Sequence, residues 1–346
     1  MIIDTTYRYT AGLILFFLLG CSSGGSGSDT SLGTVETSNP NAGADVFRVA
    51  TFGIDTENDM VYAQGLSHSY WNSPNPVTQD LLLDIYTPIN NDESRPAMVF
   101  IHGGGFTGGD KGTMPPVEFA RYFAERGFVS VSINYRLLGD YGTLPQSFND
   151  AIDTSPLLVN ADREQIKAMY PATRDAKAAL RWVAANADDL GVDPNRISVI
   201  GGSAGSYIAI ALGATDFDDY KNELSPAEDP TLASTHLDDD VIVGSVVNHW
   251  GGPATVTLLE IVDGRSRWGQ NDAPLSIVHG TADVTVPYEQ AEELVTLYEV
   301  TGAYHELTTL NGAGHAAWNS TVDGQSLLEL SFDFVARMLD LSVAED

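Results

Sequence analysis

The segment 197–212 constrains the fold of this chain more than any other. Ile197-Ser198-Val199-Ile200 is a short, uncharged strand pattern; Gly201-Gly202-Ser203-Ala204-Gly205 follows with no spacer, and a helical pattern runs on to Leu212. A strand that is apolar on both faces belongs inside a parallel sheet. A glycine-flanked turn that leads straight into a helix is the connection such a sheet uses. The same alternation recurs along the chain. Strands are expected at 47–51, 81–86, 97–101, 129–134, 197–200, 241–248, 275–278 and 304–310, with 81–86 in an antiparallel N-terminal portion. Helices are expected at 116–126, 174–188, 203–212, 288–301 and 325–341. The fold class is therefore α/β, a mostly parallel sheet flanked by helices, over residues 45–346. Two stretches interrupt the pattern, 137–171 and 213–240, and are expected as inserted lid or substrate loops. The second carries Asp216, Asp218, Asp219 and Asp238-Asp239-Asp240 without the spacing of a calcium loop, and is expected as a solvated acidic face.

The first 44 residues have a different character. A short apolar run, Ala11 to Leu19, ends in Leu18-Leu19-Gly20-Cys21, and Cys21 is the only cysteine of the 346 residues. The run is too short to span a bilayer and suits the core of a signal peptide. A lone cysteine placed directly after it looks like a bacterial lipobox, so 1–21 is expected to be a lipoprotein signal peptide, with Cys21 as the lipidation site. Ser22 after the cysteine points to the outer membrane, with secretion or the periplasm as alternatives. Residues 22–44, rich in Gly, Ser, Thr and Asn, are expected as a flexible tether. The 17 Lys and Arg against 47 Asp and Glu give a formal charge of −30. Nucleic acid is thereby excluded as a partner, since its binding needs a basic surface that releases counterions. Contact with a membrane is expected only through the lipid.

Two motifs carry chemistry. The serine of G-x-S-x-G, raised on a strand–turn–helix, is an exposed nucleophile when a base serves it. His102-Gly103-Gly104-Gly105 follows the expected strand 97–101 directly, and consecutive glycines let backbone N–H groups converge on one developing negative charge. The base must come late in the chain, after the acid. Of the seven histidines, His315 sits in Asn311-Gly312-Ala313-Gly314-His315, the loop after strand 304–310. Asp283, in His279-Gly280-Thr281-Ala282-Asp283, sits past strand 275–278. Both loops lie where α/β sheets build sites. His102 and His279 read as structural, while His249 could line a pocket. Phe106 and Trp250, at strand ends, are candidates for the substrate pocket or for the core. No cofactor or metal is called for: H-E-x-x-H is absent, and no cysteine falls in 45–346.

Leu83-Asp84-Ile85-Tyr86, residues 101–110, Asn134-Tyr135-Arg136-Leu137, Gly201–Gly205, His279–Asp283 and Gly314-His315 together resemble a serine carboxylesterase of the α/β-hydrolase superfamily. The resemblance is to the bacterial branch with hormone-sensitive-lipase-like and feruloyl-esterase-like enzymes. It implies the α/β-hydrolase fold and a Ser203, His315, Asp283 triad acting through an acyl-enzyme. It also implies an oxyanion hole from the N–H groups of Gly104, Gly105 and Ala204, and it makes Arg136 a packing and ion-pairing residue. The expected substrate is a small-molecule or polymer-linked ester, short- to medium-chain or aryl- or sugar-linked. Gly202 departs from relatives that carry Asp, Glu or His before the serine, and Ser206 from those with a second glycine. A serine peptidase of the same fold is an alternative, although such enzymes usually add a propeller or large domain and only about 44 low-complexity residues precede this one. A non-catalytic binding protein on the scaffold is another, although such proteins tend to lose the serine or histidine.

Overall fold

Every residue of the strand Arg95–Ile101 is buried, and its side chains alternate between two cores. Ala97, Val99 and Ile101 enter one, Met98 and Phe100 the other. This period-two division places the strand inside a sheet covered on both faces. Each fully buried Val or Phe contributes about 1.5–3 kcal/mol to that arrangement. A computed structural model describes residues 45–90, 94–158 and 162–345; Cys21, the expected signal peptide and the expected tether lie outside them.

The central sheet has eight strands: β1 (Ile54–Ser67), β2 (Val77–Pro88), β3 (Arg95–Ile101), β4 (Val129–Ile133), β5 (Val192–Gly202), β6 (Val243–His249), β7 (Leu275–Gly280) and β8 (His305–Leu310). Their order is β1-β2-β4-β3-β5-β6-β7-β8. Only β2 runs against the others. The helices are α1 (Pro116–Ala124), α2 (Gln146–Thr154), α3 (Arg163–Ala185), the single turn α4 (Ala187–Leu190), α5 (Ala204–Ala214), α6 (Ala254–Asp263), α7 (Glu289–Thr301) and α8 (Leu327–Met338). Helices α1 and α8 cover the face fed by Met98 and Phe100, while α3, α5, α6 and α7 cover the other. Helix α8 starts on a capping box, with Ser326 Oγ accepting from Glu329 N and the Glu329 carboxylate accepting from Ser326 N, a reciprocal pair that satisfies two otherwise orphaned donors. Among the described residues no helix is long and apolar enough to cross a membrane.

The start of the described chain is clasped to its end. Val46–Phe47 pairs in parallel with Val343–Ala344, Asp45 accepts from Ser342 N at 2.8 Å and from Arg196 at 2.8 Å, and Phe47 N donates to Arg126 O.

Three expectations need correction. The strand at 47–51 shrinks to Val46–Phe47, and the real first strand of the sheet is β1. β1 lies at the sheet edge and exposes Asp55, Glu57 and Asp59, so no apolar run announces it. The stretch 137–171 is not a loop: it holds α2 and α3 from Arg163 to Pro171. Pro171 stands inside α3, where it deprives one carbonyl of its N–H partner, and burial on all sides of Ile166–Ala172 holds the helix together across it. Nor is 213–240 simply a solvated face. Asp219 is buried against Arg267, 2.8 Å away, and Asp229 against Arg174 at 3.2 Å. These acids are counterions to buried guanidinium groups, a role that no linear pattern reveals.

Candidate active site

Ile101 pairs with Gly201 across β3 and β5, and Gly202 with His249 across β5 and β6. That register sets the loops after β3, β5 and β6 side by side at the carboxyl edge of the sheet. The loops after β7 and β8 join them through the pairing of Gly280 with Leu310.

Ser203 makes the turn with φ 55° and ψ −121°, a strained conformation for a residue with a Cβ. What holds it is the closeness of its surroundings. A Cβ on Gly205 would collide with the carbonyl oxygens of Ile101 and His102, so only glycine lets α5 seat against the end of β3. Ser206 supplies the other anchor: its buried Oγ donates to Gly201 O at 2.6 Å and accepts from His249 N at 3.0 Å. The departure from glycine at this position therefore ties the turn to β6. Ser203 N donates to His249 O at 2.9 Å.

Ser203 Oγ lies 3.0 Å from His315 Nε2, and His315 Nδ1 lies 2.7 Å from Asp283 Oδ2. A carboxylate only accepts, so Nδ1 carries the proton and Nε2 is left to accept from the serine hydroxyl. The other oxygen of Asp283 accepts from Thr285 N at 2.8 Å and Val286 N at 2.9 Å, which fixes the carboxylate plane. Its side chain is fully buried, whereas that of His315 is 20% exposed. His279, also fully buried, donates through Nε2 to Val286 O at 2.9 Å. Burial holds its pKa below the ordinary value, so it packs against Asp283 as a neutral ring.

The Gly104 and Gly105 amides meet no hydrogen-bond acceptor among the described residues, and the Ala204 amide opens α5, where no intrahelical partner exists. All three residues border one cavity of about 460 Å³ with Ser203 and His315. The glycine loop is held from behind. Tyr135 Oη donates to His102 O at 2.8 Å and its ring stacks on His102 at 4.3 Å. Asn134 accepts from Lys111 N at 2.7 Å. Arg136 makes a buried, bidentate pair with Asp175. Gln165, at the start of α3, donates to Gly105 O at 2.5 Å and reaches the cavity. Sequence reasoning missed it because it lies in the stretch taken for a loop.

Phe106 and Trp250 are both buried, and both also line the cavity. His249 does not reach it. Its ring is fully buried among Phe119, Trp250 and Trp318, and burial pushes its pKa down to about 3. The folded protein thus keeps His249 neutral down to about pH 3, while the unfolded chain takes up a proton near pH 6.5. The stability this gives is complete above pH 6.5 and is lost progressively as the pH falls toward 3, by on the order of 4–5 kcal/mol. His249→Leu is expected to flatten the fall of the urea midpoint between pH 7 and pH 4. His102 and His279, held down by burial in the same direction, leave a residual slope. A slope equal to wild type would contradict the assignment.

The family described as the prolyl oligopeptidase family matches residues 118–342, and the carboxylesterase family matches residues 63–148. In sequence, the chain is 34% identical over 138 residues to phenmedipham hydrolase of Pseudarthrobacter oxydans, spanning 40% of this chain and 24% of that one. It is 33% identical over 148 residues to para-nitrobenzyl esterase of Bacillus subtilis, spanning 42% and 27%. It thus covers about a quarter of the length of these relatives. In structure it is similar to Thermogutta terrifontis esterase 2 phosphorylated by paraoxon, with a TM-score of 0.57 and 26% identity over 83% of this chain and 95% of that one. The chain belongs to the prolyl oligopeptidase family, within the α/β-hydrolase superfamily.

Proposed function

We propose that this chain hydrolyses carboxylic esters through an acyl-enzyme on Ser203. The observation that carries the reading is the continuous line from Asp283 through His315 to Ser203, 2.7 Å and 3.0 Å long, beside unoccupied amides at Gly104 and Gly105. In the first half-reaction, Ser203 Oγ bonds to the carbonyl carbon as its proton passes to His315 Nε2, and Asp283 stabilises the imidazolium. The N–H groups of Gly104, Gly105 and Ala204 hold the oxyanion. Collapse breaks the bond to the alcohol, which leaves with the proton from His315. Water then gives a proton to His315, attacks the acyl carbon and releases the acid, and Ser203 regains its proton. Phe106 and Trp250 are walls for the substrate. The cavity suits short- to medium-chain or aryl esters, and sugar-linked esters are the extension to test next. The lipobox-like Cys21 supports export and attachment to the outer membrane as part of the same reading.

The experiment is hydrolysis of p-nitrophenyl esters from C2 to C16 by wild type and Ser203→Ala, with paraoxon labelling followed by mass spectrometry. The esterase described above carries a phosphoryl group from paraoxon, and this chain is expected to take one on Ser203 and to lose activity in step. Turnover that survives Ser203→Ala would sink the mechanism. The prolyl oligopeptidase match favours a peptidase as second reading; cleavage of p-nitroanilides of short peptides without cleavage of esters would establish it instead.

A further inference from the structure

The residue before the nucleophile is glycine here because something else fills its space. A Cβ built on Gly202 would lie 2.5 Å from Cζ2 and 2.6 Å from Cη2 of Trp318. Contacts that short do not occur without displacement, so the indole occupies the volume that a side chain at position 202 would take. Its neighbours hold it there: Trp250 meets it edge-on at 4.5 Å, His249 lies at 5.0 Å and Phe119 at 5.5 Å. Three ring contacts hold the indole from different sides, so the ring is a fixed plug rather than a swinging gate. Trp318 also lies three residues after His315 on the same loop, where its backbone N–H donates to Ala316 O at 2.8 Å.

Trp318 lines the cavity beside Ser203. The cavity straddles the carboxyl edge of the sheet, so its two ends are built from different cores. Phe106 and Tyr207 belong to the core under α3 and α5, while Trp250 and Trp318 belong to the core under α1 and α8. An ester has two substituents flanking the carbonyl carbon, and a serine placed between two ends receives one in each. We propose that Trp318 is the specificity-determining residue of the α1 end: its indole stops that arm and limits the substituent held there to a short one. This inference rests on the esterase reading above.

The test compares wild type, Trp318→Ala and Trp318→Phe on two ester series. One varies the acyl chain from C2 to C8 on p-nitrophenol; the other keeps an acetyl group and varies the alcohol. In Trp318→Ala, the ratio of kcat/KM for the bulkiest to the smallest member is expected to rise by roughly ten- to a hundredfold in one series only, because the arm holds one substituent. Trp318→Phe, which keeps most of the packing, is expected to shift the same series by less. Unchanged ratios in both series would overturn the proposal, as would an equal loss on every ester, since that is the signature of a purely structural Trp318. If Trp318→Ala does not fold, the Trp318→Phe ratios decide alone. Wild type that turns over no ester refutes the esterase reading; wild type that does, with unmoved ratios in the variants, refutes only the role of Trp318. Gly202→Ala adds an independent check on the packing: it should impair the wild type and be tolerated in the Trp318→Ala background, whereas equal effects in both backgrounds would overturn the claim that the indole fills this space.

Discussion

His315→Ala is expected to lower kcat by roughly 10⁵–10⁶-fold with KM within a few fold of wild type, and Asp283→Asn by roughly 10⁴-fold. The two differ for a geometric reason. Without His315, Ser203 Oγ has no acceptor at 3.0 Å and the hydroxyl stays protonated. In Asp283→Asn the imidazole remains, but its Nδ1 faces an amide that can present an N–H. The ring then turns its proton toward Ser203, and the base is lost to the wrong tautomer. Asp283→Asn leaves the cavity lining unchanged, and His315→Ala trims only one side chain from it while Phe106, Trp250 and Trp318 stay in place, which is why KM is largely spared. Single-turnover release of p-nitrophenol measures the acylation step directly. A loss below about a hundredfold in either variant would mean that another group serves the serine.

The second large effect is on stability. Arg136 and Asp175 are 3% and 2% exposed and meet in a bidentate pair; the same guanidinium donates to Leu66 O at 3.0 Å, tying β1 to α3. Asp175→Ala strands that charge in the interior and is expected to cost about 3–5 kcal/mol, read as a shift of the urea midpoint with an unchanged m-value. Replacing both residues with apolar ones of similar size, Arg136→Met with Asp175→Leu, should recover most of the loss, because removing a buried pair together is far cheaper than orphaning one member. A loss below about 1 kcal/mol for Asp175→Ala would show that water reaches the site.

The sequence was most readable where the physics is local. Strands such as Ala97 to Ile101 are uncharged because both of their faces are dry, and the glycines around Ser203 are there because backbone passes within contact distance. Chain order and placement past strand ends singled out His315 and Asp283, and the folded chain brings His315 within hydrogen-bonding distance of Ser203 and Asp283 within hydrogen-bonding distance of His315. Reading failed where a residue's neighbour is distant in sequence. β1 hides because its outer positions are acidic and its inner ones become apolar only toward Tyr62. Pro171 misled because a helix packed on all sides tolerates what an isolated one does not. Asp219 and Asp229 looked like solvated charge, since their partners Arg267 and Arg174 lie 48 and 55 residues away. Trp318 left one trace, the glycine at 202, and that trace means something only once the loop after β8 is seen to fold over β5.

The clasp between Asp45 and Ser342 also fixes which way the molecule faces. Arg126 lies three residues before β4 and Arg196 directly before Ile197, where the continuous pairing of β5 resumes, so the chain arrives at the edge where the parallel strands begin. Ser203 stands at the edge where they finish, about 17 Å of β5 away. The point where the described chain begins and the point where Ser203 stands are therefore on opposite edges of the sheet, and a rigid attachment made at Asp45 itself would leave the Ser203 edge uncovered.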